Sequence, residues 1–232
     1  MFSVISTFKN EENNCENFLQ MIMNTKKLID INELIVIENG SSDNTLKKLK
    51  KFNVNGINIK IIDNKNSKGY GDGFYKGFKE VSNKYFITIH SDLQFDLYNF
   101  IKNNLIKINY YINQNTNIFP KRMNRTVIEN LKTFIIRIFL SIFTKKYIID
   151  TNGHPKILIT NNFSDFNNPA NGFGFDCCIF LHLIKNDFRF TNKLKIHVNK
   201  RQSGNSTWNK KIFNQIRLFG LYIKEVIIFY KS

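Results

Sequence analysis

Blocks of apolar residues alternate with helix-like segments along the first hundred residues. The apolar blocks are short and almost continuous: FSVISTF, ELIVIEN, INIKIIDN and KYFITIHSD. Between them lie segments 14–29, 42–52 and 72–82, whose apolar residues recur at helical spacing, and Ser42 or Asp43 is the predicted N-cap of the second. Continuous apolar strands are typical of sheets buried on both faces. The order predicts an α/β fold, with a mostly parallel sheet and helices on both faces.

Two long helical segments follow in the second half. In segment 126–150, Thr133, Arg137, Ser141 and Lys145 fall four apart and leave a wide apolar face. Segment 208–232 carries a mostly cationic stripe against apolar residues, namely Lys210, Asn214, Arg217, Lys224 and Lys231. Such basic, apolar-faced helices either lie in a membrane interface or face a protein core. We therefore expect C-terminal amphipathic helices and leave both alternatives open.

Composition adds a strong positive charge. Lys and Arg number 34 and Asp and Glu 18, so the net charge is 34 − 18 = +16. This favours polyanionic partners such as nucleic acid, an anionic membrane surface or phosphorylated substrates, although a solvated lysine-rich surface would look the same. Three cysteines without ligand spacing fit a reducing cytoplasm. We expect no signal peptide, and no membrane-spanning helix because no apolar run reaches about 18 residues.

Acidic residues stand where the predicted strands end. Glu11 and Glu12 follow the first strand, Glu38 and Asp63 close the next two, and Asp92 ends the fourth. In open parallel sheets, ligands bind beyond the carboxyl ends of the strands. The sequence thus predicts an acidic crevice that holds a metal ion or sugar hydroxyl groups. The alternative is that each acid caps the following helix.

Eight motifs in order resemble those of family 2 glycosyltransferases with the GT-A fold, close to dolichyl-phosphate mannose synthases and bacterial polyprenyl-phosphate glycosyltransferases. The first four are VISTFKNEENN, ELIVIENGSSDNT, NKNSKGYGDGFYKGF and FITIHSDLQFD. The others are FPKRMNR, DTNGHPKIL, GFGFDCCIFLHLIKNDF and KRQSGNSTW. The resemblance covers residues 2 to about 208 and implies a Rossmann-like, mostly parallel sheet. It also implies one domain over 1–232, with a nucleotide-sugar half (1–118), an acceptor half (119–207) and a basic C-terminal segment (208–232).

The resemblance implies displacement at the anomeric carbon of a UDP- or GDP-linked sugar. The leaving diphosphate gathers negative charge, which Mg²⁺ or Mn²⁺ would neutralise. The expected metal ligands are Asp92 and His90. The expected donor-binding residues are Thr7, Asn10, Glu11, Glu38, Asn39, Gly40, Ser41, Lys68, Gly69, Ser91 and Gln94. Gly69 and Gly71 would allow close backbone approach.

Two positions depart from the family pattern. His90 stands where the family has an aspartate; a neutral imidazole suits Mn²⁺ better than Mg²⁺. Asn39 replaces the second acid of an Asp-Asp-Gly turn and keeps hydrogen-bonding capacity without charge. These departures leave an inactive relative open as an alternative.

The acceptor half decides the substrate class. A sugar hydroxyl needs a general base, whereas a lipid phosphate is already ionised and needs cations. Lys121, Arg122, Arg125 and Arg201 are the candidate cations, and Arg suits phosphate geometry. Asp150 is the first candidate base, before Asp165 and Asp176. His154, His182 and His197 show no zinc-site spacing and are expected to be structural.

The leading interpretation is an inverting glycosyltransferase, with Asp92, Asp150, Arg122 and Arg201 as catalytic residues. Its acceptor is a polyprenyl phosphate or a lipid-linked group, and the protein is expected in the cytoplasm, peripherally bound to the inner face of the membrane. The first alternative adds sugar to a glycan hydroxyl in cell-surface polysaccharide synthesis. A basic nucleic-acid-binding module is the alternative of another class, but no nucleic-acid recognition motif is present, so we expect no nucleic acid partner.

Overall fold

A single seven-stranded sheet forms the centre of the protein. The computed structural model describes residues 1–200 and 212–232. The strands of this sheet are β1 (Phe2–Phe8), β2 (Ile31–Glu38), β3 (Asn58–Asp63), β4 (Tyr85–Thr88), β5 (Asn117–Ile118), β7 (Lys156–Ile159) and β8 (Phe190–Thr191). Their spatial order is β3-β2-β1-β4-β7-β5-β8. The first four pair in parallel, and β7 runs antiparallel to both β4 and β5. The predicted α/β fold with a mostly parallel sheet is confirmed.

A separate two-stranded sheet pairs β6 (Lys121–Met123) in parallel with β9 (Lys195–His197). The α-helices are α1 (Cys15–Lys26), α2 (Thr45–Leu49), α3 (Tyr70–Lys79), α4 (Leu97–Asn113), α5 (Val127–Thr144), α6 (Phe175–Lys185) and α7 (Ile212–Lys231). A short 3₁₀ helix at Thr160–Phe163 follows β7. No helix within the described ranges is long and apolar enough to cross a membrane.

Neighbouring strand residues enter different cores because the sheet is covered on both faces. Val4 packs with Phe18 and Ile101 in the core under α1 and α4. Ile5, the next residue, packs with Phe74 and the α6 side chains in the second core. The continuous apolar runs in the sequence reflect this double burial.

Helix starts differ in detail from the sequence predictions. Helix α2 begins at Thr45 after Asn44, although the predicted Asp43 does accept the Thr45 N–H at 3.0 Å. Helix α4 is capped by Asp96, whose Oδ1 accepts the Asn99 N–H at 3.0 Å. Asp92 is therefore not the cap of this helix, and the capping alternative is wrong for the acid that ends the fourth strand.

Candidate active site

Three buried acids lie at the carboxyl edge of the sheet. Glu11, Glu38 and Asp92 are each less than a tenth exposed there, whereas Asp63 is exposed. The strand order reverses between β1 and β4, and open α/β sheets bind ligands in the crevice at such a point. The edge thus has the position and the acidic lining of a ligand site.

The turns after β1 and β2 interlock at this edge. Asn10, with φ 55°, donates its N–H to Ser41 Oγ at 3.0 Å and accepts the Ser42 N–H at 2.8 Å. Glu38 accepts the Ser41 N–H at 2.5 Å, and Gly40 between them has φ 76°. The two turns therefore form one unit that holds several of the predicted donor-binding residues together.

Asn39 joins this unit to the glycine-rich loop. Its Nδ2 donates to the Gly69 carbonyl at 3.0 Å, and its Oδ1 accepts from Asn64 Nδ2 at 2.9 Å. An aspartate has no N–H to give to Gly69, so the amide suits this position better than the family's acid. Lys68 precedes Gly69, and its own N–H donates to Asp72 Oδ2 at 3.1 Å.

The glycines of this loop face another part of the same chain. Gly69 has φ 146°, and a Cβ added there would lie 2.6 Å from the Asn171 carbonyl oxygen. A Cβ on Gly71 would lie 2.2 Å from the Ala170 carbonyl oxygen. The close approach that these glycines allow is therefore to loop 170–172, which the sequence did not predict.

The remaining predicted donor-binding residues lie at the ends of β1 and β4. Ser91 Oγ donates to the Thr7 carbonyl at 2.8 Å, and Asp92 Oδ1 accepts the Gln94 N–H at 3.2 Å. Leu93 between them has φ 59°, so the chain turns sharply here. This turn brings Asp92 into the crevice beyond the strand.

His90 lies in an aromatic environment just before Asp92. Its ring stacks on Tyr70 with 5.4 Å between centroids, and its Nε2 lies 3.3 Å from the Tyr70 hydroxyl. The ring of His154 stands perpendicular to it, with centroids 4.2 Å apart. Burial lowers the pKa of His90 although Asp92 and Asp176 oppose the effect. His90 is therefore an uncharged imidazole at neutral pH.

The chemistry of these side chains limits how a metal ion would bind. No group of three or more His, Cys, Asp or Glu side chains within 1–200 and 212–232 is arranged to hold one. Mg²⁺ commonly binds through one or two carboxylates and substrate phosphates. Asp92 could hold an ion at such a site, where phosphate oxygens of a bound substrate and water would supply the other ligands.

A buried polar network lies behind His90. Lys156 Nζ lies 2.7 Å from Asp176 Oδ1 and 2.8 Å from His154 Nε2. The Tyr70 hydroxyl donates to Asp176 Oδ2 at 3.0 Å and lies 3.2 Å from His154 Nε2. Lys156 and His154 are fully buried, and Asp176 is nearly so. The network connects the glycine-rich loop, β7 and the first turn of α6.

The protonation states in this network follow from its geometry. His154 Nδ1 lies 3.1 Å from the Thr88 carbonyl, which only accepts, so we assign the proton to Nδ1 and an acceptor role to Nε2. Burial and then Lys156 lower the pKa of His154 to about 3. Burial alone would raise the pKa of Asp176, but Lys156 and His154 lower it well below its usual range. Asp176 is the buried counter-ion of Lys156, which disfavours its role as a general base.

The sequence interpretation missed Tyr70, His154 and Lys156 as parts of the site. The lack of zinc-site spacing predicts only a structural role for His154. The available signal was position: Tyr70 follows the glycine of one motif, and His154 and Lys156 lie in the DTNGHPKIL motif. A residue's place within a motif was more informative here than its spacing from other histidines.

An ion pair joins two segments of the predicted acceptor half. Arg122 Nε and Nη2 donate to the two oxygens of Asp150 at 2.8 and 2.6 Å. Burial would raise the pKa of Asp150, but Arg122 and Arg125 lower it. Asp165, another candidate base, is exposed. Arg201 lies outside the described residues.

A cleft of about 590 Å³ opens beside this pair. It is lined by cations and apolar side chains, including Lys121, Arg122, Arg125, Arg137, Val127, Leu131 and Phe134. Arg125 is held in place because it donates to Thr133 Oγ1 at 2.8 Å and to the Glu129 carbonyl at 3.1 Å. Gly153 lies against the Arg122 side chain, to which an added Cβ would come within 3.6 Å, and the next residue, His154, packs on His90, so the cleft lies close to the crevice at the sheet edge.

Comparison with solved structures identifies the fold. The crystal structure of glucosyl-3-phosphoglycerate synthase from Mycobacterium tuberculosis with Mn²⁺ and UDP-glucose has a TM-score of 0.71 at 14% identity, and covers 100% of this chain and 79% of that one. The same enzyme with Mn²⁺, UDP and glucosyl-3-phosphoglycerate gives 0.68 at 15% identity, with 99% and 78% covered.

Sequence comparison agrees over the first half of the chain. The dolichol-phosphate mannosyltransferase of Pyrococcus furiosus is 30% identical over 92 residues, which is 40% of this chain but only 26% of that protein. Residues 3–103 match the model of glycosyl transferase family 2. Over residues 3–103 the match to glycosyl transferase family 2 agrees with the resemblance drawn from the motifs, and the solved structures show the same α/β fold over the whole chain.

Proposed function

We propose that the protein is an inverting glycosyltransferase that moves a sugar from a UDP- or GDP-linked donor to a polyprenyl phosphate or a related lipid-linked acceptor. It would work bound peripherally to the inner face of the membrane, as one domain over residues 1–232. The donor would bind in the crevice at the sheet edge, and the acceptor would bind in the cleft beside α5.

The observation that carries the lipid part of this proposal is the orientation of α5. Two polar side chains in its second half face the protein: Arg137 Nε donates to the Ile148 carbonyl at 2.9 Å, and Ser141 Oγ accepts the Ile148 N–H at 2.9 Å. Most of its large apolar side chains are exposed, namely Val127, Ile128, Leu131, Phe134, Ile135, Ile138, Phe139 and Ile142. Val127 is 83% exposed and Ile142 74%. An apolar helix face of this size suits a membrane interface.

The cationic side of the same cleft suits a phosphate. Arg122 and Arg125 are fixed by hydrogen bonds, and Lys121 and Arg137 line the cleft with them. Guanidinium groups bind phosphate oxygens in a planar, bidentate manner. The juxtaposition of phosphate-binding cations and an outward apolar face matches an acceptor with a phosphate head and a hydrocarbon tail. Arg201, in a motif outside the described residues, is a further candidate cation.

The chemistry then needs no general base. The second pKa of a phosphate monoester is about 6, so its oxygen is a nucleophile at neutral pH. The acceptor oxygen bonds to the anomeric carbon while the bond from that carbon to the diphosphate oxygen breaks, which inverts the configuration. Asp150, ion-paired with Arg122, would position that cation. This role replaces the expected role as a base.

Asp92 would hold Mg²⁺ or Mn²⁺ together with the donor diphosphate, and His90, two residues earlier, is the second candidate ligand. A bound ion would neutralise charge on the leaving group. Lys68 would approach the same diphosphate. The interlocked turns at Asn10, Glu11, Glu38 and Ser41 would bind the nucleoside. The proposal includes both uracil and guanine as its base.

The deciding experiment is a transfer assay with three acceptors. Radiolabelled UDP-glucose and GDP-mannose are incubated with Mn²⁺ and either a polyprenyl phosphate, a phosphoglycerate or an oligosaccharide. We expect label on the polyprenyl phosphate only. Transfer to phosphoglycerate would support a phosphate acceptor but contradict a lipid-linked one. Transfer to the oligosaccharide alone would favour the glycan alternative. Duplex DNA binding without donor binding would instead support the nucleic-acid module.

A further inference from the structure

An acidic side chain on the C-terminal helix is bonded to a distant loop. Glu225 lies within α7, and its Oε1 accepts the Gly172 N–H at 2.9 Å. Its Oε2 accepts the Gly174 N–H at 3.0 Å, so both carboxylate oxygens are used. Hydrogen bonds from backbone N–H groups to a carboxylate are stronger than those between neutral groups. This side chain therefore fixes loop 170–174 to α7.

The same loop lies against the glycine-rich loop of the donor crevice. The Asn171 carbonyl accepts the Asp72 N–H at 3.0 Å. The near-contacts at Gly69 and Gly71 are also with residues 170–172. The backbone around Gly69 is thus held between Asn39 on one side and loop 170–172 on the other.

An aromatic stack continues this connection to the end of β4. The ring of Phe173, in the loop that Glu225 holds, stacks on Tyr70 with centroids 5.8 Å apart. Tyr70 in turn stacks on His90 with centroids 5.4 Å apart. Tyr70 therefore lies between the loop and the segment that carries Asp92. Displacement of the loop would remove the Phe173 ring from Tyr70 and leave the contacts of Tyr70 with His90 and Phe74.

We propose that Glu225 is a positioning residue for the nucleotide-diphosphate donor. It acts by holding loop 170–174 against residues 69–72 and against Tyr70, and it does not itself touch the donor. This inference rests on the proposed donor site and adds that the affinity of that site depends on the C-terminal helix.

The test measures binding of UDP and GDP, each with Mn²⁺, by calorimetry well below the melting temperature. We expect Glu225→Ala to weaken binding at least tenfold. Glu225→Gln should be intermediate, since a single amide oxygen replaces two carboxylate oxygens. Lys224→Gln, an exposed neighbour on the same helix, is the matched control and should stay within twofold of wild type.

A second variant covers the case in which Glu225→Ala does not fold. Phe173→Leu removes the stack on Tyr70 and leaves the Glu225 hydrogen bonds in place, and it should also weaken binding severalfold. If folded Glu225→Ala or Phe173→Leu protein binds the nucleotides with wild-type affinity, the inference about Glu225 is overturned while the proposed function stands. Failure of the wild-type protein to bind either diphosphate would overturn the proposed function, and the inference with it.

Discussion

Replacement of Lys156 by Met should destabilise the protein strongly. The ammonium group is fully buried and lies 2.7 Å from Asp176 Oδ1. Methionine fills a similar volume, so the main loss is the charge and its hydrogen bonds. The Asp176 carboxylate would then stay buried next to Tyr70 and His154 but without the Lys156 ammonium group.

The magnitude follows from the burial of the pair. Removal of one partner from a buried ion pair costs about 3–5 kcal/mol because the other charge is left uncompensated. For a chain of this size, 1 kcal/mol corresponds to about 2–4 °C in melting temperature. The variant should therefore melt roughly 6–20 °C lower than wild type.

The assay is thermal and urea unfolding followed by circular dichroism, with two comparisons. Lys185→Met changes an exposed lysine on α6 and should be close to neutral. The double variant Lys156→Met/Asp176→Leu removes both charges and should recover most of the lost stability. His154 Nε2, 3.2 Å from the Tyr70 hydroxyl, can still accept from it. A single variant within 1 kcal/mol of wild type, or a double variant no better than the single, would refute the reasoning.

Three further results are expected. In the unfolded chain His154 takes up a proton below its ordinary pKa of 6.5, whereas in the folded protein its pKa is about 3. Stability should therefore decrease as the pH is lowered from 6.5 to about 3, and His154→Asn should flatten the plot of urea midpoint against pH. Gly71→Ala should lower the melting temperature markedly because its Cβ would lie 2.2 Å from the Ala170 carbonyl oxygen. Gly220→Ala, whose Cβ would have nothing within 4 Å, should be neutral or stabilising. Equal effects of the two variants on the melting temperature would contradict the packing argument. Ile142→Ser removes apolar area from the exposed face of α5 and should reduce co-flotation of the protein with anionic vesicles roughly tenfold. Ile106→Ser on α4, at a residue 86% exposed in wild type, is the control and should leave flotation unchanged. Equal losses in the two variants would exclude α5 as the contact surface.

The sheet and its acidic edge could be predicted from the sequence because both leave local signals. A strand buried on both faces must be apolar at consecutive positions, and the residue that follows such a strand lies at the carboxyl edge of the sheet, where ligands bind. Glu38 and Asp92 were found in this way. The motif order then indicated the family resemblance, because the first four motifs lie at or directly after the ends of β1 to β4.

The contacts between distant segments could not be predicted. Lys156 and Asp176 are twenty residues apart, and Arg122 and Asp150 are twenty-eight apart, so their pairing depends on the tertiary fold. The orientation of α5 was also open, because periodicity shows that a helix has an apolar face but not whether protein covers it. Arg137 is directed to the segment after α5, where it donates to the Ile148 carbonyl and to the Tyr147 hydroxyl, and this segment reaches it only through the tertiary fold.

The most direct test of the account is the affinity of UDP and GDP for the wild-type protein and for Asp92→Asn, each measured by calorimetry with and without Mn²⁺. The account predicts that Mn²⁺ strengthens nucleotide binding to wild type at least tenfold and that Asp92→Asn loses this gain while its metal-free affinity is kept. An equal Mn²⁺ effect in Asp92→Asn, in a protein that remains folded, would contradict the assignment of the metal to the end of β4.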